Sequence, residues 1–308
     1  MQAPKYFLEA EIAAVLSYEA LIPAIRQALM DYSAGVVDQP LRSILRVKDL
    51  QGNPTGWFAA MPVIAGEYMA VKTVTFFPGN SSLRDVPTHL AMIELLDRAT
   101  GLPLAVMDGR LITEMRTAAV SAVAALALAP SAKTLGILGS GVQARSHIEA
   151  LRVTHPAFLE AGAIRISSRN AEKAGALADE MNAEVVAIEQ AAACDIVLTV
   201  TAATQPVLLG KWLKQGSLVI GVGAVSPTSR ELDDEVMAGT LIAESRQCAE
   251  NESGDVLLSG ARVFAEIGEV LAGTALPLPA GRVIFKSLGM GIEDLVGARL
   301  VWEALRHS

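Results

Sequence analysis

Cysteine is scarce in this chain of 308 residues, which contains only Cys194 and Cys248. Two thiols in a chain of this length do not form a disulfide framework, so a reducing compartment, the cytoplasm, is the expected location. The four histidines are scattered along the sequence, and no group of histidines and cysteines has the spacing of metal ligands. The sequence therefore predicts no metal site.

Basic residues are outnumbered by acidic ones, 25 to 33, which gives a net charge of −8. An acidic protein repels phosphate backbones, so binding to nucleic acid is not expected. Long apolar stretches are also missing, since the longest, Ala118 to Pro130, is too short to cross a bilayer. Residues Met1 to Ala10 carry Lys5 and Glu9 and lack the apolar core of a signal peptide. We therefore expect no membrane partner.

Hydrophobic residues make up 52% of the chain, enough for a large core, and a chain of this length usually divides into two domains. In the first third, strand-like segments follow one another without long helices between them. After Gly109 the pattern changes to a helix from Thr113 to Ala129 and then to alternating strands and helices. Continuous apolar strands separated by helices predict an α/β fold, a doubly wound parallel sheet covered on both faces.

A glycine-rich turn stands between the first of these strands and the helix that follows it. The run from Gly139 to Ala144 fits the pattern G-x-G-x-x-A. Gly139 permits the tight turn, Gly141 lets the backbone approach a pyrophosphate, and the helix start favours the anion. Because a strand precedes the motif and a helix follows it, we predict a dinucleotide site of the Rossmann type rather than an ordinary turn. The predicted contacts are Gly139, Ser140, Gly141, Val142 and Gln143.

The nucleotide's identity depends on the end of the next strand. NAD-specific folds usually place a carboxylate there, whereas this chain has Ser168, Arg169 and Asn170. Arg169 could pair with a 2′-phosphate, which a carboxylate would repel. The alternative is a solvated arginine at the start of a helix. The sequence therefore favours NADPH, with NADH as the second option.

Cations occupy unusual positions in the first third of the chain. Lys72 lies in a strand whose alternation places it on an apolar face, so it must reach solvent or meet a buried anion. Arg116 is predicted at the third position of a helix capped by Thr113, where a cation opposes the helix dipole. Arg42 lies beside apolar neighbours on another strand. Such cations suit a small carboxylate. The alternative for each one alone is a surface position, which is the favoured interpretation of Arg42 taken by itself.

At these residues the sequence resembles the ornithine cyclodeaminase/mu-crystallin family, with matches in order from about Gln39 to Leu300. The matching segments are Met69–Phe76, Pro87–His89, Ala105–Gly109, Arg116–Ala119, Gly139–Ala144, Arg230–Asp233, Glu252–Asp255 and Phe285–Gly289.

The resemblance implies a homodimer of two-domain subunits. Residues 1–112 with 292–308 would form the α+β domain for substrate binding and dimerisation, and 113–291 the Rossmann domain. It implies that Arg42, Lys72 and Arg116 line the substrate site together with Thr88 and His89. The cofactor site would also include Thr117, Thr201, Ala202, Val222, Gly223, Val225 and Ser287.

Two departures from the family's cyclodeaminases separate this chain from them. Val225 stands where they carry a proton-handling aspartate, and Ser168 where they carry an acidic residue that accompanies NAD. The resemblance therefore implies the reductase branch, in which NADPH reduces a cyclic ketimine carboxylate to L-proline or L-pipecolate. Arg42 and Arg116 would hold the carboxylate, Lys72 would stabilise the substrate or relay a proton, and His89 is a second candidate donor.

Three other functions stay open. An alanine or N-alkyl amino acid dehydrogenase would use the same site on an open-chain imine. Ornithine cyclodeamination is disfavoured by Val225. A protein that binds a nucleotide and a ligand without relevant turnover, in the manner of mu-crystallin, belongs to a different functional class.

Overall fold

The computed structural model describes residues 3–83 and 86–307 and divides the chain into two compact units. The first comprises Met1–Ala24, Gly35–Arg116 and Met290–Ser308, and the second comprises Ile25–Ala34 and Thr117–Gly289. Sequence reasoning assigned Ile25–Ala34 to the first domain. The segment clusters with the second unit because Tyr32 hydrogen-bonds Ser245 at 2.7 Å and Ser33 donates to Glu266 at 2.7 Å.

The first unit is built on a six-stranded sheet in the order β1-β6-β5-β4-β3-β2, antiparallel except for the pair β1 and β6. The strands are β1 (Lys5–Phe7), β2 (Ser43–Lys48), β3 (Pro54–Ala65), β4 (Tyr68–Phe76), β5 (His89–Asp97) and β6 (Pro103–Asp108). Two helices, α1 (Glu9–Ala13) and α2 (Tyr18–Ser33), lie between β1 and β2 in the chain. The C-terminal helix α11 (Gly291–Leu305) packs on β3, β4 and β5.

Helix α11 covers one face of this sheet. Lys72 of β4 reaches Asp294 of α11, and strand alternation places Ala70 on the same face. The opposite face carries Leu45, Leu90 and Met92, whose side chains are 64%, 46% and 48% exposed. The first unit therefore buries one sheet face and leaves apolar side chains on the other.

The second unit is an eight-stranded sheet in which every strand pair is parallel, in the order β13-β12-β14-β11-β10-β7-β8-β9. The strands are β7 (Leu135–Leu138), β8 (Ile164–Ser167), β9 (Glu184–Val185), β10 (Ile196–Thr199), β11 (Leu218–Gly221), β12 (Thr240–Ala243), β13 (Val263–Glu266) and β14 (Val283–Lys286). Strands β7, β10 and β11 are buried throughout, as apolar central strands of a parallel sheet must be. The predicted α/β fold is confirmed.

Helices alternate with these strands. They are α4 (Val142–Thr154), α5 (Ala171–Glu180), α6 (Ile188–Ala192), α7 (Asp234–Met237), α8 (Arg246–Glu252), α9 (Gly254–Ser259) and α10 (Ile267–Leu271). Helix α3 (Gly109–Leu128) precedes them and is long and apolar enough to span a membrane by length and composition. Its residues Ala118–Ala125 are buried inside the protein, as in the core helix of a globular domain.

The start of α3 corrects one prediction. Sequence reasoning began this helix at Thr113, but it begins at Gly109, and the Asp108 side chain accepts a hydrogen bond from the Arg110 N–H at 2.9 Å. Thr113 instead donates to the Gly109 carbonyl at 2.6 Å, inside the helix. Arg116 therefore lies beyond the first turn, and its predicted opposition to the helix dipole is wrong.

Candidate active site

Lys72 is a buried cation of the first unit, and it pairs with Asp294. The ammonium lies 2.9 and 2.8 Å from the two carboxylate oxygens, and both side chains are almost completely inaccessible to solvent. The register of the sheet places Lys72 opposite Met61 on β3 and Ile93 on β5, both apolar. Of the two outcomes considered from the sequence, escape to solvent or a buried anion, the structure shows the buried anion.

Arg116 approaches the same carboxylate from helix α3. Its Nε lies 3.1 Å from Asp294 Oδ1, and one terminal nitrogen lies 2.5 Å from Glu293 Oε2. All of these carboxyl and guanidinium groups are buried. One planar guanidinium thus contacts two successive acidic residues of α11, a geometry that suits its fixed fork of donors.

Burial lowers the pKa of Lys72 from 10.5 to about 8, because desolvation disfavours the charged form and the positive charges of Arg116 and Arg42 act in the same direction. The carboxylate of Asp294 opposes this shift. Arg42 lies directly before β2 rather than within it, and is half-buried. Its effect on Lys72 places its charge in the electrostatic neighbourhood of the two buried cations.

Thr88 and His89 meet at the beginning of β5. Thr88 Oγ1 lies 3.3 Å from His89 Nδ1, and the Phe76 ring packs against the imidazole in a tilted arrangement, with 4.4 Å between the ring centroids. His89 pairs with Phe76 across the strands, and Ile93, on its face by alternation, lies opposite Lys72. Although the side chain is exposed overall, desolvation lowers the pKa of its ring below the usual value.

The glycine-rich turn of the second unit has a geometry that is compatible with a bound nucleotide. Gly139 has φ +124°, a backbone conformation that disfavours any side chain, and a Cβ there would lie 2.7 Å from the Val200 carbonyl oxygen. Gly141 has ordinary φ −88°, and a Cβ there would meet nothing within 4 Å. Gln143 Oε1 is buried and makes no hydrogen bond within residues 3–83 and 86–307. Open space at the start of α4 and an available acceptor both fit a bound dinucleotide.

The residues after β8 differ in their surroundings. Ser168 Oγ hydrogen-bonds Ser140 Oγ at 2.8 Å, which links them to the glycine turn. Asn170 caps α5 by accepting from the Lys173 N–H at 2.9 Å. Arg169 is exposed. Ser168 and Asn170 therefore have local structural partners, while the guanidinium of Arg169 lies in solvent.

The remaining predicted cofactor residues lie close to the carboxyl ends of parallel strands or at the start of the second unit. Thr201 follows β10, Gly223 follows β11, and Ser287 follows β14. Val225 is exposed. The others are Thr117, Ala202 and Val222. Ligands of open α/β sheets bind at this edge, so the placement of the loop residues agrees with the assignment.

A buried hydrogen-bond and charge network stabilises this edge of the sheet. Its residues Glu231, Asp255 and Lys286 lie in segments that resemble the family, but sequence reasoning found no physical reason for them. Glu231 accepts from Thr199 Oγ1 at 2.8 Å and from both the N–H and hydroxyl of Thr201 at 2.6 Å. Lys286 lies 3.0 Å from Asp255 and donates to the Gly223 carbonyl. Burial raises the pKa of Glu231, and the charge of Lys286 opposes that rise.

Glu293 and Asp294 were missed from the sequence. Acidic residues in the first turn of a helix are favoured by its dipole, so they resemble ordinary surface residues. The available signal was their context, because α11 is apolar on both sides of the doublet and buried from Gly291 to Ala298. Two carboxylates inside such a helix require cations, as Lys72 requires an anion.

The chain is similar to known proteins over almost its whole length. The family model for the ornithine cyclodeaminase/mu-crystallin family matches residues 4–308. The ketimine reductase mu-crystallin of Mus musculus is 41% identical over 315 residues, covering 98% of each chain.

Two solved structures share the fold and its extent. The Δ1-pyrroline-2-carboxylate reductase of Thermococcus litoralis, in complex with NADH and L-proline, has a TM-score of 0.90 at 32% identity and covers 98% of each chain. An archaeal alanine dehydrogenase dimer with bound NAD has a TM-score of 0.91 at 27% identity and covers 99% of this chain and 96% of that one. This chain belongs to the ornithine cyclodeaminase/mu-crystallin family.

Proposed function

We propose that this protein is an NAD(P)H-dependent reductase that converts cyclic ketimine carboxylates, Δ1-pyrroline-2-carboxylate or Δ1-piperideine-2-carboxylate, to L-proline or L-pipecolate. The observation that carries the proposal is the buried pair of Lys72 and Arg116 in the first unit. A guanidinium can bind a small carboxylate through its planar fork, and an ammonium beside it can give a proton to an imine nitrogen. The similarity to a ketimine reductase and to a pyrroline-carboxylate reductase supports it.

Each group has a distinct task in this reaction. Arg116, with Arg42, binds the substrate carboxylate and so fixes the orientation of the imine carbon. Lys72 provides a proton to the imine nitrogen, and His89 is the second candidate for that step. The dinucleotide, held by Gly139–Gln143, supplies a hydride when bound.

Initial rates of NADPH and NADH oxidation with both cyclic imines test this function. Pyruvate with ammonia or methylamine tests the dehydrogenase alternative, which the similarity to an alanine dehydrogenase favours. Ornithine with NAD, assayed for ammonia, tests cyclodeamination, which Val225 disfavours because valine carries no proton. Rates on the open-chain imines that exceed those on both cyclic imines would contradict the proposal. Undetectable oxidation with every substrate would favour ligand binding without turnover.

NADPH is the proposed preferred nucleotide, because Arg169 is exposed after β8 and no carboxylate lies beside it in the run Ser168–Asn170. Arg169→Ala should raise the KM for NADPH about tenfold and leave that for NADH unchanged. Lys214→Ala is the matched control, since Lys214 pairs with Asp195 at the opposite, amino end of the parallel strands. An equal effect of Arg169→Ala on both nucleotides would contradict the preference.

A homodimer is the proposed assembly. Leu45, Phe58, Thr75 and Leu90 lie in register across four strands and so share a face, opposite to the face that contacts α11. Leu45 and Leu90 are exposed, and a second copy would cover them. Light scattering should give twice the chain mass, and Leu45→Asp should reduce it to the monomer mass. A wild-type monomer at micromolar concentration would contradict this assembly.

We also propose a cytoplasmic location. Cys194 and Cys248 are both buried, and burial raises the pKa of the Cys194 thiol. Free cysteines that form no disulfide are typical of proteins in a reducing compartment. Fractionation of cells that express the chain would test it.

A further inference from the structure

Asp294 has an unusual environment for an acidic residue in the first turn of a helix. Its carboxylate is buried, and it contacts Lys72 through both oxygens and Arg116 through one. If the carboxylate served only to stabilise the helix dipole, it could do so from solvent, because an exposed carboxylate keeps its hydration. The position of Asp294 therefore indicates a role toward the two cations.

We propose that Asp294 is a positioning residue for imine reduction, which fixes the Lys72 ammonium and keeps it protonated until the substrate arrives. The inference rests on the proposed function and assigns a role to a residue that does not itself touch substrate. In the step it serves, an N–H bond of Lys72 breaks and a new one forms at the imine nitrogen. The C=N double bond becomes a single bond, and its carbon gains the hydride that a bound NAD(P)H would give up on being oxidised to NAD(P)+. Lys72 is left neutral and recovers its proton from water.

The charges around Lys72 explain why an anion is needed. Strands β3 and β5 present the uncharged Met61 and Ile93 opposite it. Arg116 of α3 and Arg42 before β2 both lower its pKa, as does burial. Asp294 is the group that opposes them, and with it the pKa is about 8. If this carboxylate were removed, burial, Arg116 and Arg42 would still lower the pKa of Lys72. The ammonium would therefore lose its proton at a lower pH.

Glu293 provides an internal comparison. It belongs to the same turn of α11 and is buried to the same degree, but its contact at 2.5 Å is with a terminal nitrogen of Arg116. A general requirement for negative charge at this helix end would make the two acidic residues equivalent. The proposal instead predicts that, of these two acidic residues, Asp294 is the one that keeps Lys72 protonated.

The test is the pH profile of kcat/KM for Asp294→Asn, with Glu293→Gln as the matched control. We expect the alkaline fall in kcat/KM to move to lower pH by about one unit or more in Asp294→Asn. In Glu293→Gln the fall should stay at the wild-type pH, while the KM rises because Arg116 is displaced. The substrate's own titration is common to all variants and cannot produce this difference. An unchanged profile in a folded Asp294→Asn protein would overturn the proposal.

Asp294→Glu provides a second test in case Asp294→Asn does not fold. It keeps the charge but displaces it by a methylene, so the alkaline fall should remain near the wild-type pH while kcat decreases. A profile for Asp294→Glu shifted to lower pH despite its intact charge would count against the proposal.

A binding measurement separates this inference from the proposed function. Pyrrole-2-carboxylate is a flat cyclic carboxylate without a reducible imine, and its affinity over a pH series can be measured by calorimetry. The affinity should weaken as Lys72 loses its proton, and at lower pH in Asp294→Asn than in wild type. This shift without turnover of any imine would uphold the control of Lys72 protonation by Asp294 and reject the reductase. Imine turnover with identical binding profiles would uphold the reductase and reject the role of Asp294.

Discussion

Asp294 divides its carboxylate between Lys72, at 2.8 and 2.9 Å, and Arg116, at 3.1 Å. The three residues come from a strand, a helix and a second helix that are separated by 222 and 178 positions in the chain. The cations that we propose to bind the substrate carboxylate are therefore already partly neutralised. A substrate must compete with or rearrange a buried ion pair, so exchange of either cation should affect substrate affinity and folding together.

Arg116→Lys should separate the guanidinium's geometry from its charge. A lysine cannot contact Glu293 and Asp294 at the same time in the planar arrangement of the guanidinium. We expect the KM for the imine to rise at least about tenfold, which corresponds to about 1.4 kcal/mol, with NADPH affinity unchanged. Steady-state kinetics and a fluorescence titration of NADPH would measure both.

Arg116→Ala is a weaker experiment, because it leaves two buried carboxylates with one cation fewer and should lower the free energy of unfolding by about 3–5 kcal/mol. Arg110→Lys is the control for Arg116→Lys. It makes the same exchange on the same helix, at a partly exposed arginine that pairs with Glu114 one turn away. If Arg116→Lys kept the wild-type KM, the assignment of the carboxylate site would be wrong.

The activity of the wild-type enzyme should fall as the pH rises through about 8. Lys72 has its pKa lowered from 10.5 to about 8, so it is charged below that pH and neutral above it. A reaction that needs its proton therefore loses rate on the alkaline side. The substrate imine also titrates, and Lys72→Arg distinguishes the two, because an arginine stays charged across the range. An alkaline fall in kcat/KM that is the same in Lys72→Arg would assign it to the substrate.

Much of the second unit could be predicted from local patterns. Apolar strands such as Leu135–Leu138 bury both faces, so their composition alone indicates a parallel sheet. The turn at Gly139 required only the strand before it and the helix after it. Side-chain pairs between distant segments have no such local signal. Lys72 was recognisable as a cation on an apolar face, but nothing near it in the sequence identified Asp294 as its partner.

The errors have physical causes of the same kind. Thr113 has the residue type of a helix cap, yet the preceding Asp108 accepts the hydrogen bond that starts α3. Arg42 was placed on a strand by alternation, but pairing begins at Ser43. In both cases the element begins a few residues away from its predicted start, because a tertiary or neighbouring contact sets its end. Residue propensities do not locate such ends to within a few residues.

Lys286→Met should destabilise the second unit. Lys286 is fully buried, and its loss would leave Asp255 without the cation 3.0 Å away. We expect the free energy of unfolding to fall by about 3–5 kcal/mol in urea denaturation. Asp255 also accepts from the N–H groups of Glu231 and Leu232 at 2.8 and 3.0 Å, so its amide analogue keeps part of that role.

The double variant Lys286→Met/Asp255→Asn is the control for this prediction. Removal of the charge at Asp255 relieves the unpaired carboxylate, so the double variant should be more stable than the sum of the two single losses indicates. Strict additivity would show that Lys286 and Asp255 do not act as a pair.

Two glycines of one turn should respond differently to the same methyl group. At Gly139 a Cβ would lie 2.7 Å from the Val200 carbonyl oxygen and φ is +124°, so Gly139→Ala should lower the melting temperature. At Gly141 φ is −88° and a Cβ meets nothing within 4 Å, so Gly141→Ala should fold like wild type. The folded chain therefore gives no steric reason for glycine at position 141, whereas the close approach of a pyrophosphate would give one.

Gly141→Ala should accordingly weaken NADPH binding at least about tenfold without a change in melting temperature. Fluorescence titration of NADPH and thermal unfolding of the two variants would give both quantities. Because the substitution is the same and only its position differs, a loss of affinity at residue 141 cannot be attributed to general damage to the turn. Wild-type NADPH affinity in Gly141→Ala would mean that the pyrophosphate does not lie against this glycine.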